Sequence, residues 1–387
     1  LDGGTPLCFT EDVAKRFEAY GWHVVTVEDG NDVDAIDAAI QEAKANTEQP
    51  SLLVIRTQIG YGSPNKQGSS KAHGSPLGKD EVVATRRRLG WPEDVDFHVP
   101  QEALAAFRKA VDEGARAQAE WEARFRAWAE ANPELAQEWS VAFSGKLPEG
   151  WDQAIPVFGP EDSAATRATG GKVLNAIAAH YPGLFGGSAD LNASTNTVMK
   201  GLGDFESPAL PGEGVEGAVG GGWGYAGRNV HFGVREHAMA AAANGIALHG
   251  GLRPYTATFF TFSDYLKPSL RLSALMELPV IYVFTHDSFC VGEDGPTHQP
   301  IEQIAMLRAM PNVVTLRPAD ASETAEAWRV AIERLDGPTV LLLTRQNLPS
   351  LDRSVFAPAE GLRKGAYVLR DAEGGAPEIV LIATGSE

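Results

Sequence analysis

Cysteine is nearly absent: Cys8 and Cys290 are the only two in 387 residues. They fall in separate predicted domains and form neither a metal-ligand spacing nor a disulfide framework, so a reducing compartment is the simpler reading. Long apolar runs are missing too. None approaches the roughly 18 residues that a bilayer-spanning helix needs, and no charged-then-apolar leader precedes Leu1. Positive charge is scarce, with 33 Lys plus Arg against 51 Asp plus Glu, a net charge of −18. Such a chain is a poor partner for nucleic acid or an anionic membrane surface. Any anionic substrate must be recruited by local cations against the global field. These absences point to a cytoplasmic globular protein. The ends are abrupt: Leu1-Asp-Gly-Gly has no initiator Met, and the chain stops just after an apolar strand candidate beginning at Ile379. A lone strand cannot bury its faces, so both ends are expected to be cut from a larger protein.

Hydrophobic content of 43% and charge of 22% are ordinary for a globular chain, and the length allows two or three domains. Residues 10–57 read as helix, strand, helix, strand. Thr10 is expected to cap the first helix. His23–Val27 and Leu52–Ile55 are the strands, and Val33, Ile36 and Ile40 share one face of the second helix. That alternation predicts a parallel sheet. The loop 59–78 is long and rich in Gly and Ser, and such loops are usually functional or disordered; it contains His73. Residues 101–143 read as a long surface helix or pair of helices with a Trp stripe used for packing. Residues 145–160 read as a linker. A second α/β unit carries strand candidates at 184–185, 230–232, 255–259, 280–284, 313–316 and 340–343. Helical patterns lie at 236–249 and 322–335.

The most informative stretch is Thr285-His-Asp-Ser-Phe-Cys-Val-Gly-Glu-Asp-Gly-Pro-Thr-His-Gln-Pro300. It follows the apolar run Pro279–Phe284, which reads as a buried strand. Two histidines (His286, His298) and three carboxylates (Asp287, Glu293, Asp294) crowd into it. Ligands of open α/β sheets bind beyond the carboxyl ends of strands, so acid–base groups there can reach a substrate. Glu236 opens a helix just beyond another strand, where the helix dipole alone would favour a carboxylate. Phe259, Phe262 and Tyr265 recur every three residues, which by itself reads as core packing. Gly222-Trp-Gly-Tyr-Ala-Gly227 matches a dinucleotide pattern but lacks the preceding strand and following helix that the pattern requires. A flexible loop explains it.

Taken together, a carboxylate beside an aromatic shelf suits a stacked nitrogen heterocycle, and the histidine loop suits a sugar. With Ile59-Gly-Tyr-Gly-Ser-Pro-Asn-Lys, Ala72-His-Gly-Ser-Pro-Leu-Gly78, Gly186-Gly-Ser-Ala-Asp-Leu191, Phe232-Gly-Val-Arg-Glu-His, Gly292-Glu-Asp-Gly-Pro-Thr-His-Gln-Pro300 and Thr344-Arg-Gln-Asn-Leu348 in this order, the whole chain closely resembles transketolase. The resemblance implies a parallel-sheet α/β thiamine diphosphate-binding fold. Its parts would be the end of a diphosphate-binding domain (1–100), a helical linker (101–160), a complete pyrimidine-binding domain (161–350) and the start of a truncated third domain (361–387). It implies thiamine diphosphate-dependent transfer of a two-carbon ketol unit from a ketose phosphate to an aldose phosphate, by a homodimer with its active site at the subunit interface. Within that resemblance, Glu236 matches the glutamate that hydrogen-bonds the aminopyrimidine. Phe262 matches the stacking ring, with Phe259 and Tyr265 beside it, and Asp190 matches a residue near the cofactor. His73 and His298 match proton-moving histidines, and His73 also borders the cofactor. Asp294 matches a sugar-hydroxyl ligand. Arg167, Ser194, His286 and Arg345 match the phosphate-binding set, though the neighbours of Arg167 depart from the family pattern. Asp287 and Glu293 are left as structural turn residues. The family's ligands for the diphosphate and its magnesium or calcium ion lie upstream of the Leu1-Asp-Gly match, so no metal ligand is expected in this chain, and residues 1–387 alone are expected to be inactive. Two alternatives remain open: dihydroxyacetone synthase, and a non-catalytic transketolase-like binding protein.

Overall fold

A computed structural model describes residues 3–210, 212 and 214–387. The first two residues of the Leu1-Asp-Gly match, and Pro211 and Glu213 of the glycine-rich run, lie outside the described residues. The chain divides into two compact units, Leu1–Trp121 and Glu122–Glu387.

The first unit runs α1 (Val13–Ala19), β1 (His23–Val27), α2 (Val33–Ala45), β2 (Ser51–Ile55) and α3 (Lys79–Arg88), followed by α4 (Gln101–Ala131), which crosses the division. β1 and β2 pair in parallel, as the alternation predicted. The cap of α1 is Asp12, whose carboxylate accepts from the Lys15 amide at 3.2 Å, and not Thr10. Asp binds the free amides of a first turn as well as Thr does, and Asp12 is the residue next to the helix. The loop after β2 is fastened by Glu81 on α3, which accepts from Asn65 through both its amide N–H (2.8 Å) and Nδ2 (2.9 Å), and from the Ser63 hydroxyl. Those bonds hold the Glu81 carboxyl down at about 2, the Ser63 contact contributing most. Lys66 Nζ closes the same loop onto the Leu77 carbonyl at 2.7 Å.

In the second unit the aromatic stripe works as packing. Phe125 and Trp128 of α4 meet Trp139 of α5 (Pro133–Phe143) at centroid distances of 5.8 and 6.5 Å. Then follow β3 (Ala164–Ala165), α6 (Thr166–His180), β4 (Leu184–Ser188), α7 (Asn192–Thr195), β5 (Asn229–His231), α8 (Glu236–His249), β6 (Arg253–Phe259), α9 (Ser263–Leu275), β7 (Ile281–Thr285), α10 (Gln303–Arg308), β8 (Val314–Leu316), α11 (Ala321–Glu333), β9 (Thr339–Leu343) and β10 (Asn347–Leu348). Six strands form one parallel sheet in the order β5-β4-β6-β7-β9-β8. Every residue of β7 and β9 is buried, which explains why these strands read as unbroken apolar runs. Side-chain alternation splits their residues between two cores. Ile281, Val283, Leu341 and Leu343 pack with α6 and α11, whereas Tyr282, Phe284, Val340 and Leu342 pack with α8 and α9.

Two arginines, Arg228 half-buried and Arg253 buried, brace the amino-terminal edge of the sheet. Arg228 donates to the carbonyls of Ala178, Tyr181 and Leu184 near the end of α6, and Arg253 to those of Ala331 and Arg334 near the end of α11. Cations there complement orphan carbonyls and the negative helix ends.

Two expectations fail. The glycine-rich segment before β5 is not a loose loop. The buried Asp204 carboxylate accepts from the Val219 amide (3.0 Å) and from His231 Nε2 (2.7 Å), pinning the loop to the strand. The apolar run at Ile379–Ile382 is not a strand; its side chains are 71–93% exposed and it pairs with nothing among the described residues. Apolar sequence sets strand propensity, but the ladder needs a neighbouring edge.

Leu174, fully buried between sheet and α6, gives a direct test of the core. Leu174→Ala is expected to cost about 2–5 kcal/mol, whereas Val157→Ala, 97% exposed, should stay within about 0.5 kcal/mol. Denaturant unfolding of the two variants separates them.

Candidate active site

The parallel sheet delivers its loops to one edge. Beyond β4 come Asp190, exposed and with a left-handed backbone (φ +60), and Ser194 on α7. Beyond β5, Glu236 opens α8. It is largely buried (9% exposed), yet its carboxylate oxygens are not among the fully buried atoms and make no hydrogen bond or ion pair among the described residues. A carboxylate held at a helix start with its oxygens accessible can accept from a ligand's N–H.

Beyond β6 only Phe259 of the three aromatic residues is buried (8% exposed), and the positions of Phe262 and Tyr265 are not explained by core packing. Phe262 stacks on Phe259 at 5.7 Å with 18° between planes, and Tyr265 follows at 6.0 Å. Tyr265 is 65% exposed and Phe262 is half-buried. The core residue is Phe260 between them, stacked on Phe284 at 6.1 Å. The chain passes from a strand into a short 3-10 turn there. Phe260 and Phe259 are both buried, while Phe262 and Tyr265 extend the stack outward as a more open aromatic shelf. The core reading holds for Phe259 and is corrected for Phe262 and Tyr265.

Beyond β7 the histidine loop closes onto that shelf. The His286 ring lies 3.8 Å from Phe259, and His298 sits edge-on to Phe262 at 5.2 Å. Thr285 and Thr297 share hydrogen bonds of 2.9 Å with Nδ1 of His286 and His298 respectively. Arg167, at the start of α6, is drawn in because Thr166 bonds Thr344 at the end of β9. Its guanidinium donates to the Ser194 carbonyl at 2.5 Å. The Ser194 contact thus runs through its backbone. Arg345 follows β9 and pairs with Glu293 at 3.1 Å. Glu293 is therefore an ion-pair partner and not a mere turn residue. Asp287, by contrast, is buried and bonded to Arg317 at 2.7 Å. Arg317 was missed in the sequence reading; its signal was a cation placed directly after the apolar strand Val313–Leu316. Asp294 is exposed. His73 belongs to the first unit, where it is exposed and its amide donates to the Ser70 carbonyl at the end of a 3-10 turn.

Electrostatics join the second-unit residues. Burial pushes His286 down to about 4, and the Arg167 and Arg345 charges push the same way against Asp294. Arg167 is itself lowered, by burial first and then by Arg345. Two guanidiniums and a neutral imidazole thus act on one another electrostatically, a positive cluster suited to an anion.

Among the described residues no cluster of three or more His, Cys, Asp or Glu could hold a metal ion, and no helix is long and apolar enough to cross a membrane. Two family models match the chain: the transketolase thiamine diphosphate binding domain over residues 1–148 and the transketolase pyrimidine binding domain over 162–350. The chloroplastic transketolase of Craterostigma plantagineum is 50% identical over all of this chain and 72% of that protein. The chain belongs to the transketolase family. A transketolase from Geobacillus stearothermophilus is 53% identical, covering all of this chain and 56% of that protein. Solved transketolase from Pichia stipitis, in complex with sedoheptulose-7-phosphate, matches with a TM-score of 0.87 at 44% identity, covering 96% of this chain and 53% of that one. The chain spans about half the length of most of the curated transketolases it matches.

The depressed His286 makes a stability prediction. Its folded value of about 4 lies below the ordinary 6.5. Between those values the unfolded chain binds a proton there and the folded chain does not. Stability contributed by the neutral ring is therefore complete above about 6.5 and is lost as pH falls through that window to about 4. His286→Gln is expected to flatten the pH dependence of unfolding free energy across that window, as followed by denaturant titration.

Proposed function

We propose that this chain carries the pyrimidine-side half of a thiamine diphosphate-dependent transketolase active site, in a protein that moves a two-carbon ketol unit between sugar phosphates. The observation that carries the reading is Glu236, a largely buried residue whose accessible carboxylate makes no hydrogen bond or ion pair among the described residues, opening a helix near the aromatic shelf. An aminopyrimidine fits both features: a ring nitrogen can supply the proton-bearing partner that Glu236 lacks, and the ring face can lie on Phe262. When bound, thiamine diphosphate supplies the electron sink that stabilises a carbanion. The metal and diphosphate ligands of this family are not among the residues assigned here.

The remaining roles follow from chemistry and position. Glu236 holds the proton on the pyrimidine edge, and Phe262, flanked by Phe259 and Tyr265, fixes the ring plane. Asp190 borders the cofactor. His298 moves protons at the substrate's reacting oxygens, and Asp294 accepts from a sugar hydroxyl. For His73, in the first unit, the cofactor and proton-transfer roles rest on the family resemblance alone. Arg167 and Arg345 bind the substrate phosphate through charge-assisted bonds, with Ser194 shaping the pocket. His286, neutral at pH 7, adds a hydrogen bond without adding charge. These few cations recruit an anion to a chain whose net charge is −18. The solved relatives crystallised with sugar phosphates support the substrate class. A homodimer is part of the reading. Tyr265, Leu272, Leu275 and Met276 leave an exposed apolar strip running along α9 and its end, from 44 to 67% exposed, which a second subunit would cover. We place the protein in the cytoplasm and its domain boundaries near residues 100, 160 and 350–361.

In the intact protein, Glu236→Ala should lower kcat/KM by roughly 10²–10⁴-fold while leaving the melting temperature little changed. Unchanged turnover at saturating thiamine diphosphate and magnesium would refute the assignment.

A further inference from the structure

His286 occupies an awkward point on the backbone. Its φ is +61, a region that residues other than glycine seldom enter and that surrounding structure must enforce. On one side the enforcement is the sheet. Thr285 ends β7, paired with Phe259 of β6 and Leu343 of β9. On the other side stands Asp287, whose side chain is fully buried. One of its oxygens accepts from Arg317 Nε at 2.7 Å, and the other has no partner among the described residues.

Arg317 directly follows β8, and its side chain is 8% exposed. All three of its nitrogens are engaged. Besides Asp287, it donates to the Thr384 carbonyl at 3.2 Å and makes a two-pronged contact with the Glu387 carboxylate, Nη2 to Oε1 at 2.9 Å. The same turn is touched by Arg308 through the Thr384 hydroxyl (3.4 Å) and by Gln346, the neighbour of Arg345, through Ser386 (3.3 Å). Four of the five Arg317 N–H donors are thus used within the protein, and the side chain is committed to these partners. It binds the residue next to His286 and clasps that residue to the turn Thr384–Glu387.

We propose that Arg317 is a positioning residue for substrate phosphate: through Asp287 it holds His286 in its left-handed conformation, and through the Thr384–Glu387 turn it links that geometry to the segment following the sheet. Removing one member of a buried ion pair leaves the other uncompensated. Asp287 would then have to relocate or take up a proton, and His286, one bond away, would lose its constraint. The inference rests on reading Arg167, His286 and Arg345 as the phosphate-binding set.

The test compares a phosphorylated ketose donor with a short unphosphorylated ketol donor in the intact protein. Arg317→Gln is expected to raise KM for the phosphorylated donor by about 10–100-fold, the range of losing one hydrogen bond to a charged group, and to leave kcat on the unphosphorylated donor unchanged. Arg317→Lys should restore part of the difference. If the single variant fails to fold, the double variant Asp287→Asn/Arg317→Gln removes both buried charges and should show the same selective loss. Equal losses on both donors, or no loss, overturn the proposal. His286→Ala separates the two layers of argument. If it loses phosphate discrimination while the Arg317 variants keep it, the positioning role alone is wrong. If it keeps full discrimination, the phosphate-set reading fails and the proposal falls with it.

Discussion

Parallel register is the constraint on which the rest of the second unit depends. Phe259, Thr285 and Leu343 are aligned across β6, β7 and β9. Adjacent strands lie about 4.8 Å apart, so the first residues beyond these three ends are forced into one neighbourhood. Those residues are the aromatic shelf, His286 and Arg345. A one-residue slip in β7 would turn its alternating side chains to the opposite faces, misplacing both the core pairs Ile281/Val283 and Tyr282/Phe284 and the histidine at its tip. The packing of two cores and the assembly of the site are therefore consequences of a single set of ladder hydrogen bonds.

Charge is distributed to match that edge. At the amino-terminal edge, all three Arg228 nitrogens and Nη2 of Arg253 donate to carbonyls at and beyond helix ends. At the carboxyl edge, Arg167 spends one nitrogen on the Ser194 carbonyl and Arg345 meets only the exposed Glu293. An exposed pair of that kind is weak, so Arg345 can exchange Glu293 for a stronger anion. Arg317, although at the same edge, is occupied by Asp287 and the Thr384–Glu387 turn. Three arginines at one edge thus divide into two with capacity for a ligand and one committed to structure.

Much of this was legible in the linear sequence. The fully buried strands announced themselves as apolar runs because both faces of a parallel sheet are covered, and α8 spans the expected residues 236–249. The histidine loop stood out because titratable groups clustered after a strand. Other features were hidden. The triplet Phe259, Phe262 and Tyr265 carries the spacing of a buried helical face, and only the 3-10 turn after β6 keeps Phe259 and Phe260 buried while leaving Phe262 and Tyr265 more open. Asp204 and Glu81 look like ordinary surface carboxylates; their value comes from amides 15 residues on and 16 residues back that the fold brings to them.

Residue chemistry and periodicity, both local properties, determined by themselves the fold class, the order of elements, the resemblance to transketolase and the list of groups able to hold a pyrimidine, a sugar and a phosphate. Tertiary structure alone decided which of those groups share a space and what state they are in. Glu236 is unpartnered, His286 is neutral and backbone-strained, Glu293 is drawn into an ion pair, and Ile379–Ile382 stays outside any sheet. The reason is physical: burial, ion pairing and strand hydrogen bonding are relations between residues distant in the chain, and no single segment contains them.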